Sequence, residues 1–218
     1  MSDLLPGLML TRDDQALIVH SDTPMYILSS AVVGGGFIHA RFILNRHVSK
    51  HYDHPDPARD LRAFAHTRGI REPFVGLMTA VYLHRAQVIT LAEDDVRLSL
   101  VMTAGFSNVT AAGLSPPVRE HGPTPPGTIN LILLIHGELT PAAMVNAVIT
   151  ATEAKTHTLL QWQLPSPGGH LATGTSTDAV VVACTGQGPR MPYAGPATPI
   201  GHLIARAVRQ ALVTSGPS

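Results

Sequence analysis

The chain has 218 residues, 44% hydrophobic and only 14% charged. That is enough for one large domain with a real core, and charge-poor beside the roughly 25% usual in soluble proteins. Fifteen basic residues balance fifteen acidic ones, so no positive excess marks a nucleic-acid or anionic-membrane partner, and no apolar run approaches the roughly 18 residues needed to span a bilayer. Cys184 is the sole cysteine, which excludes an internal disulfide, a CxxC metal knuckle and an iron–sulfur cluster built by this chain alone. The start Met1-Ser2-Asp3-Leu4 lacks a basic segment followed by an apolar one, so a cytoplasmic location is expected.

Along the chain, apolar runs of strand length fall at residues 17–20 and 25–30. A helix follows over 56–68, where Asp56-Pro57 supplies an N-cap with proline at the first helical position and Leu61, Phe64 and Ala65 share a face. Further strand-like runs lie at 88–90, 97–103 and 128–135. Thr140-Pro141 repeats the helix-start signal, with Met144, Val145, Val148 and Ile149 following at helical spacing, which predicts the longest helix over 140–158. A strand at 178–184 precedes a third helix over 199–213, opened by Thr198-Pro199. Breaker-rich stretches at 115–127, 165–169 and 186–199 read as loops. The runs at 128–135 and 178–184 are continuously apolar, as in strands covered on both faces. The predicted fold class is therefore α/β: a single domain spanning the chain, with a mixed β-sheet of six or more strands, 128–135 central, and helices packed on it.

Polar segments beside these runs are the candidate sites, because strand ends present side chains where apolar interiors do not. "LSSAVVGGG" places Ser29 and Ser30 at a strand end, followed by Gly34, Gly35 and Gly36. Backbone N–H groups of such a turn can converge on an oxyanion, and a plain turn needing positive φ reads the same. No P-loop motif follows, which excludes that route to nucleotide hydrolysis. "TGTSTDAVVVA" leads hydroxyl residues and Asp178 into a strand. A carboxylate there either takes a proton or orients a hydroxyl, or it accepts backbone N–H bonds in a turn. Glu153 and Lys155 in "TATEAKT" stand two apart, so they do not share a helix face and one of them faces inward. His47, His51 and His54 are spaced as on one helix turn, but "DHPDP" breaks a helix there and no H-E-x-x-H completes a zinc site, so no metal and no cofactor are expected. Cys184, ending a buried strand, reads as an inert core thiol.

Taken in order, "LSSAVVGGG" at 28–36, Asn45 with Val48, Tyr52 and Asp56-Pro57, "VGLMTA" at 75–80, "TAGFSN" with "AAG" at 103–113, "GTIN" at 127–130, "ATEAK" at 151–155, "ATGTSTDA" at 172–179 and "YAGPATPIG" at 193–201 resemble the adenosylcobinamide amidohydrolase (CbiZ) family. The resemblance implies a hydrolase of corrinoid salvage in vitamin B12 biosynthesis. It would cleave the amide between the corrin's propionyl side chain and its aminopropanol arm and release adenosylcobyric acid. The partner is then a corrinoid small molecule. Such hydrolysis needs an activated water or hydroxyl, donors for a tetrahedral oxyanion and an acid for the leaving amine. Candidates are Asp178 as base or orienter, and Thr175, Ser176 or Thr177 as nucleophile or water-binding hydroxyl. The backbone of Gly34, Gly35 and Gly36 or the side chain of Asn130 is the candidate oxyanion donor, and Glu153 or Lys155 the candidate acid. Ser29, Ser30, Asn45, Thr79 and Asn108 complete a neutral cleft suited to an amide-fringed corrin, and these segments are expected to converge on it. Two other classes use the same residues. One is a non-catalytic corrinoid-binding protein with His47 or His121 reaching cobalt; the other is an amidase or acyltransferase for a different amide, matured at a Thr or Ser of "GTIN" or "GTST".

Overall fold

Three Xaa-Pro pairs open the three α-helices of the computed structural model, which describes residues 4–117 and 127–217. In α1 (Pro57–Thr67) the Asp56 carboxylate accepts from Arg59 N at 2.9 Å. In α2 (Pro141–Gln161) Thr140 Oγ1 accepts from Ala143 N at 3.2 Å, and in α3 (Pro199–Ser215) Thr198 Oγ1 accepts from Gly201 N at 3.1 Å. Each cap satisfies an N–H that the first turn leaves without a partner, while proline occupies a position where no N–H is needed.

The strands are β1 (Leu8–Arg12), β2 (Ala16–Ser29), β3 (Gly36–His47), β4 (Val75–Thr79), β5 (Gln87–Glu93), β6 (Val96–Ala104), β7 (Val109–Thr110), β8 (Ile129–His136), β9 (Glu138–Leu139), β10 (Gly174–Thr175), β11 (Ala179–Cys184) and β12 (Arg190–Met191). Eight of them form one sheet in the order β4-β3-β2-β11-β8-β6-β5, with β1 also beside β2. The β3–β4 and β8–β11 pairs are parallel and the other pairs antiparallel, so the sheet is mixed, as expected. β8 lies inside it, one place from the middle strand β11. Two short pairs, β7 with β10 and β9 with β12, stand apart.

This sheet is rolled. β3 and β8 are three places apart in the strand order, which in a flat sheet is about 14 Å. Yet Asn130 of β8 donates to Asn45 of β3 at 3.1 Å, and Asn45 donates to Thr103 of β6 at 3.1 Å. Inside the roll pack Leu17, Val19 and Ile27 of β2, Ile43 of β3, Leu77 of β4, Ile132 and Leu134 of β8, and Val181 and Ala183 of β11. Outside, α2 and α3 cover Leu98, Leu100, Leu131, Leu133, Val182 and Cys184, while Leu61 and Ala65 of α1 cover Leu44. β8 and β11 are thus buried on both faces, which is why their sequences do not alternate.

Two local expectations are corrected. Val145 and Ile149 are each 47% exposed; Met144 faces inward as expected, but beside it stand Ala143, Ala147 and Ala151, small residues that let the helix lie close to sheet and neighbour. β1, β3 and β4 fall outside the six apolar runs. The first half of β3 is largely exposed and carries His39 and Arg41, so it lacks an apolar stripe, and β4 is only five residues long and interrupted by Gly76. Among the described residues no helix is long and apolar enough to cross a membrane.

Candidate active site

At one end of the roll, the starts of β8 and β11 meet the segments leaving β2, β3 and β4. Between them lies a cleft of about 450 Å³ whose wall includes Ser30, Lys50, Tyr52, Thr79, Asn130, Thr177 and Asp178. The sequence-predicted residues Ser30, Thr79, Asn130, Thr177 and Asp178 are therefore brought together from four separate stretches of chain.

Asp178 is the most heavily hydrogen-bonded of them. Its Oδ1 accepts from Ile129 N at 3.1 Å and from Thr175 Oγ1 at 2.5 Å. Its Oδ2 accepts from Thr175 N at 3.2 Å and from Lys155 Nζ. Four donors fill the roughly four acceptor sites of a carboxylate. Lys155 reaches it from α2, with the side chains only 10% and 14% exposed, so of the pair Glu153 and Lys155 it is Lys155 that points inward. A Cβ at Gly174 would sit 2.6 Å from Asp178 Oδ2 and 3.0 Å from Lys155 Nζ, so only glycine admits this approach.

The turn carrying these groups is pinned to the Asn108 segment. β10 pairs with β7, Ser176 N donates to Asn108 O at 3.3 Å, and Asn108 Nδ2 donates to Ser176 Oγ at 2.8 Å. Asn108 is 7% exposed, and its Oδ1 is buried without a hydrogen-bond partner among the described residues. Thr177 Oγ1 donates to Gly127 O at 2.8 Å. Thr175 is buried behind Asp178, whereas Ser176 and Thr177 are exposed.

Asn130 is spoken for. Both hydrogens of Nδ2 are used, on Asn45 Oδ1 at 3.1 Å and Met78 O at 2.9 Å, so it has no N–H left for an oxyanion. Apart from the Lys50 ammonium, the uncommitted donors of the cleft are hydroxyls, of which the sequence singles out Ser30 and Thr79 but not Ser49. Ser30 Oγ accepts from Val180 N at 3.0 Å, Thr79 Oγ1 from Val81 N at 3.1 Å and Ser49 Oγ from His51 N at 3.2 Å. In each case the backbone fixes the oxygen and leaves the O–H hydrogen free among the described residues. Tyr52 is different. Burial, then its hydrogen bond to Asp60 at 2.8 Å, pushes its phenol up to about 12, so it remains a donor at neutral pH. Asp60 itself is lowered: burial opposes this, but Tyr52 and Arg46 outweigh it.

Several candidates lie elsewhere. Gly34, Gly35 and Gly36 form a tight turn away from the cleft; a Cβ at Gly34, which has φ +73, would meet Phe74 O at 2.5 Å, so close packing accounts for the glycine and an anion cradle does not. Ser29 Oγ accepts from Ala31 N at 2.9 Å, and Ser29 is not on the cleft wall. Glu153 faces solvent on α2 and is not on the cleft wall. Asn45 sits beneath the cleft as a bridge between Asn130 and Thr103. His47 ends β3 and donates from Nδ1 to Val81 O at 3.1 Å; His51 and His54 follow in a loop, so the helical spacing is not realised. His121 lies outside the described residues, as does most of the 115–127 loop. Among the described residues, no cluster of three or more metal-ligating side chains occurs. Cys184 is buried, which pushes its thiol up to about 11.

The model of the adenosylcobinamide amidohydrolase family matches this chain over residues 3–217. The chain is 36% identical over 204 residues to an adenosylcobinamide amidohydrolase of Methanosarcina mazei, an overlap of 89% of this chain and 90% of that one. It is 39% identical over 121 residues to an adenosylcobinamide amidohydrolase of Halobacterium salinarum, 54% of this chain and 49% of that one. Among solved structures, the PH0078 protein from Pyrococcus horikoshii OT3 is similar with a TM-score of 0.52 at 11% identity, covering 97% of this chain and 79% of that one, a likeness of fold alone. The family match runs essentially end to end and a relative above one-third identity aligns over nearly its full length, so this chain belongs to the adenosylcobinamide amidohydrolase family.

Proposed function

We propose that the protein hydrolyses the amide linking the corrin propionyl group to the aminopropanol arm of adenosylcobinamide, releasing adenosylcobyric acid and the amino alcohol. The observation that carries this reading is the end-to-end relationship to the Methanosarcina mazei amidohydrolase, together with a charge-poor, hydroxyl-lined cleft whose charged wall residues are Lys50 and the ion-paired Asp178.

The cleft has parts for each stage of the chemistry. Attack by water on the amide carbon requires a base, and Asp178 supplies it once one acceptor site is vacated. Of its four donors, two are backbone N–H groups fixed by the chain and one is the Lys155 ammonium. The fourth, the Thr175 hydroxyl, turns away by rotating about a single bond, which frees Oδ1 for a water proton. Thr175 thus serves as the mobile donor rather than the nucleophile. The carbonyl oxygen becomes an oxyanion, for which the free hydrogens of Ser30 and Thr79 are the available donors. The proton taken by Asp178 passes to the departing nitrogen as the C–N bond breaks, leaving a carboxylic acid on the corrin and a free amine; the acid's remaining proton then passes to the amine, giving a carboxylate and an ammonium, so atoms and charge balance. Lys155 compensates the charge of Asp178 across the ion pair.

Incubation with adenosylcobinamide and mass detection of adenosylcobyric acid and 1-amino-2-propanol tests the reading. Product must increase with enzyme and time, and must be lost in Asp178→Ala. Tight corrinoid binding without either product would establish a binding protein instead.

A further inference from the structure

A second cleft of about 380 Å³ adjoins the first and shares Lys50, Ala80 and Gly127 with it. Its wall carries Tyr82, Arg85 and Phe106. Tyr82 is 58% exposed, although its neighbours Val81 and Leu83 are buried at 8% and 2%. Its ring is stacked on that of His47, with centroids 5.4 Å apart and planes 29° apart, and on that of His84 at 5.7 Å and 15°. His47 is in turn held by its hydrogen bond to Val81 O. The fold uses only the backbone of Tyr82, whose carbonyl accepts from Arg85 N at 3.0 Å to close a short turn.

Tyr82 and His84 are exposed, nearly parallel rings, continued inward by the half-buried His47, and planar bases recognise such stacking surfaces through their π-faces. The charged residues on the wall are Lys50 and Arg85, with no carboxylate among the described lining residues. Arg85 therefore offers donors for the ring nitrogens and ribose oxygens of a nucleoside. The cleft suits a nucleoside in size and is too small for a corrin macrocycle. We propose that Tyr82, with His47 and His84 stacked beside it and Arg85 at its edge, forms the subsite that holds the adenosyl group of the corrinoid. This rests on the reading of the first cleft as the place where the amide is cut. It makes Tyr82 a specificity-determining residue that selects adenosylated substrate.

Trp162, the single tryptophan of the chain, lies edge-on to Phe106 at 5.5 Å, so its fluorescence reports occupancy of this cleft. The full-length protein is titrated with 5′-deoxyadenosine, with adenosylcobinamide and with cyano-form cobinamide, which lacks the adenosyl group. Tyr82→Leu is expected to weaken 5′-deoxyadenosine binding and to reduce the preference for the adenosylated over the cyano form, each by about 10- to 100-fold, the range of one base–aromatic stack. Tyr82→Phe, which keeps the π-face, should restore both. A wild type that does not bind 5′-deoxyadenosine, or a Tyr82→Leu protein with an unaltered preference and an unaltered melting temperature, would overturn the proposal. Failure of the functional reading looks different: hydrolysis of neither corrinoid by the wild type, with the nucleoside titration still reporting on the subsite.

Discussion

Lys155 and Asp178 form an ion pair at the junction of α2 with the turn that leads into β11, both side chains almost wholly enclosed. The lysine has no second hydrogen-bond partner among the described residues, whereas the aspartate accepts from three further groups. The two members are therefore not equivalent. Removing the carboxylate strands a buried cation and three donors; removing the lysine strands one acceptor site on a carboxylate that still has three.

Asp178→Asn is accordingly not a silent replacement of one planar group by another. The sequence alone would assign it a loss of turnover with folding intact, since asparagine keeps the shape. In the structure one end of that amide would point N–H groups at N–H donors and leave Lys155 unpaired. The expected outcome is a loss of about 3–5 kcal/mol in stability together with a 10²- to 10⁴-fold drop in turnover per folded molecule. Lys155→Met in the same chain should recover part of the stability and none of the turnover. Chemical denaturation and turnover measured on the same preparations check both parts.

Gly174→Ala probes the same pair without touching either charge. The added Cβ would lie 2.6 Å from Asp178 Oδ2 and 3.0 Å from Lys155 Nζ. Lys155 can shift, but Asp178 is tied to two backbone N–H groups. A stability loss of about 1–3 kcal/mol, typical of overpacking, is expected with a fall in turnover. Wild-type melting and turnover in this variant would mean that the pair relaxes freely.

What was legible in the sequence followed burial and capping. β8 and β11 announced themselves as unbroken apolar runs because they are covered on both faces, and all three helices because an Xaa-Pro pair fixes the first turn. β3 was not legible: its exposed half carries no apolar alternation, and its hydrogen bonds are made by backbone, which any sequence supplies. For the site, the Asp178 segment stood out as polar residues beside a buried strand. The turn glycines Gly34 to Gly36 stood out for the same reason, yet Gly34 packs against Phe74 O, Gly35 against Ala31 O, and Gly36 takes φ +83 with open space beside it. Sequence singles out Thr79 as a cleft residue but not Ser49, and it could not show that either hydroxyl hydrogen is free, because what frees it is the position of a backbone N–H two residues later in a particular bend. Nor does sequence show that Asn130 has spent both its donors on partners 52 and 85 residues away.

Cys184 is expected to be chemically silent in the native state. Burial raises its thiol to about 11, so the thiolate that reacts with aromatic disulfides is scarce and shielded at neutral pH. Labelling with a thiol-specific disulfide reagent should follow the global unfolding rate across a denaturant series. Fast labelling without denaturant would mean that the sheet opens locally around β11.

Asp13, in the turn between β1 and β2, gives a pH signature. The hydrogen bond from Arg68 lowers its carboxyl to about 2, against the 3.8 of an unconstrained aspartate, with burial opposing and the N–H groups of Gln15 and Ala16 assisting. A folded-state value below the unfolded one stabilises the fold above the unfolded value, and that contribution is lost as pH falls from about 4 toward 2. Half the side chain is exposed, so solvent screening holds the contribution to under about 1 kcal/mol. The stability difference between wild type and Asp13→Asn should be constant above pH 5 and close between pH 4 and 2.

Asn130→Asp inverts that logic inside the protein. Asn130 is 1% exposed and donates to two acceptors, Asn45 Oδ1 and Met78 O. A carboxylate of the same shape would set acceptors against acceptors in a site without solvent, so the introduced group must be desolvated without compensation or take up a proton. Its folded-state pKa is therefore expected above the unfolded value near 3.9. By linkage, the penalty relative to wild type is smallest below that unfolded value and grows by about 1.4 kcal/mol per pH unit until the folded-state pKa is passed. Equilibrium unfolding of wild type and variant at several values between pH 4.5 and 7.5 measures this slope. A penalty that stays flat across the range would show that water reaches Asn130 through the cleft, and that the Asn45–Asn130 bridge is solvated and does not act as the dry floor of the site.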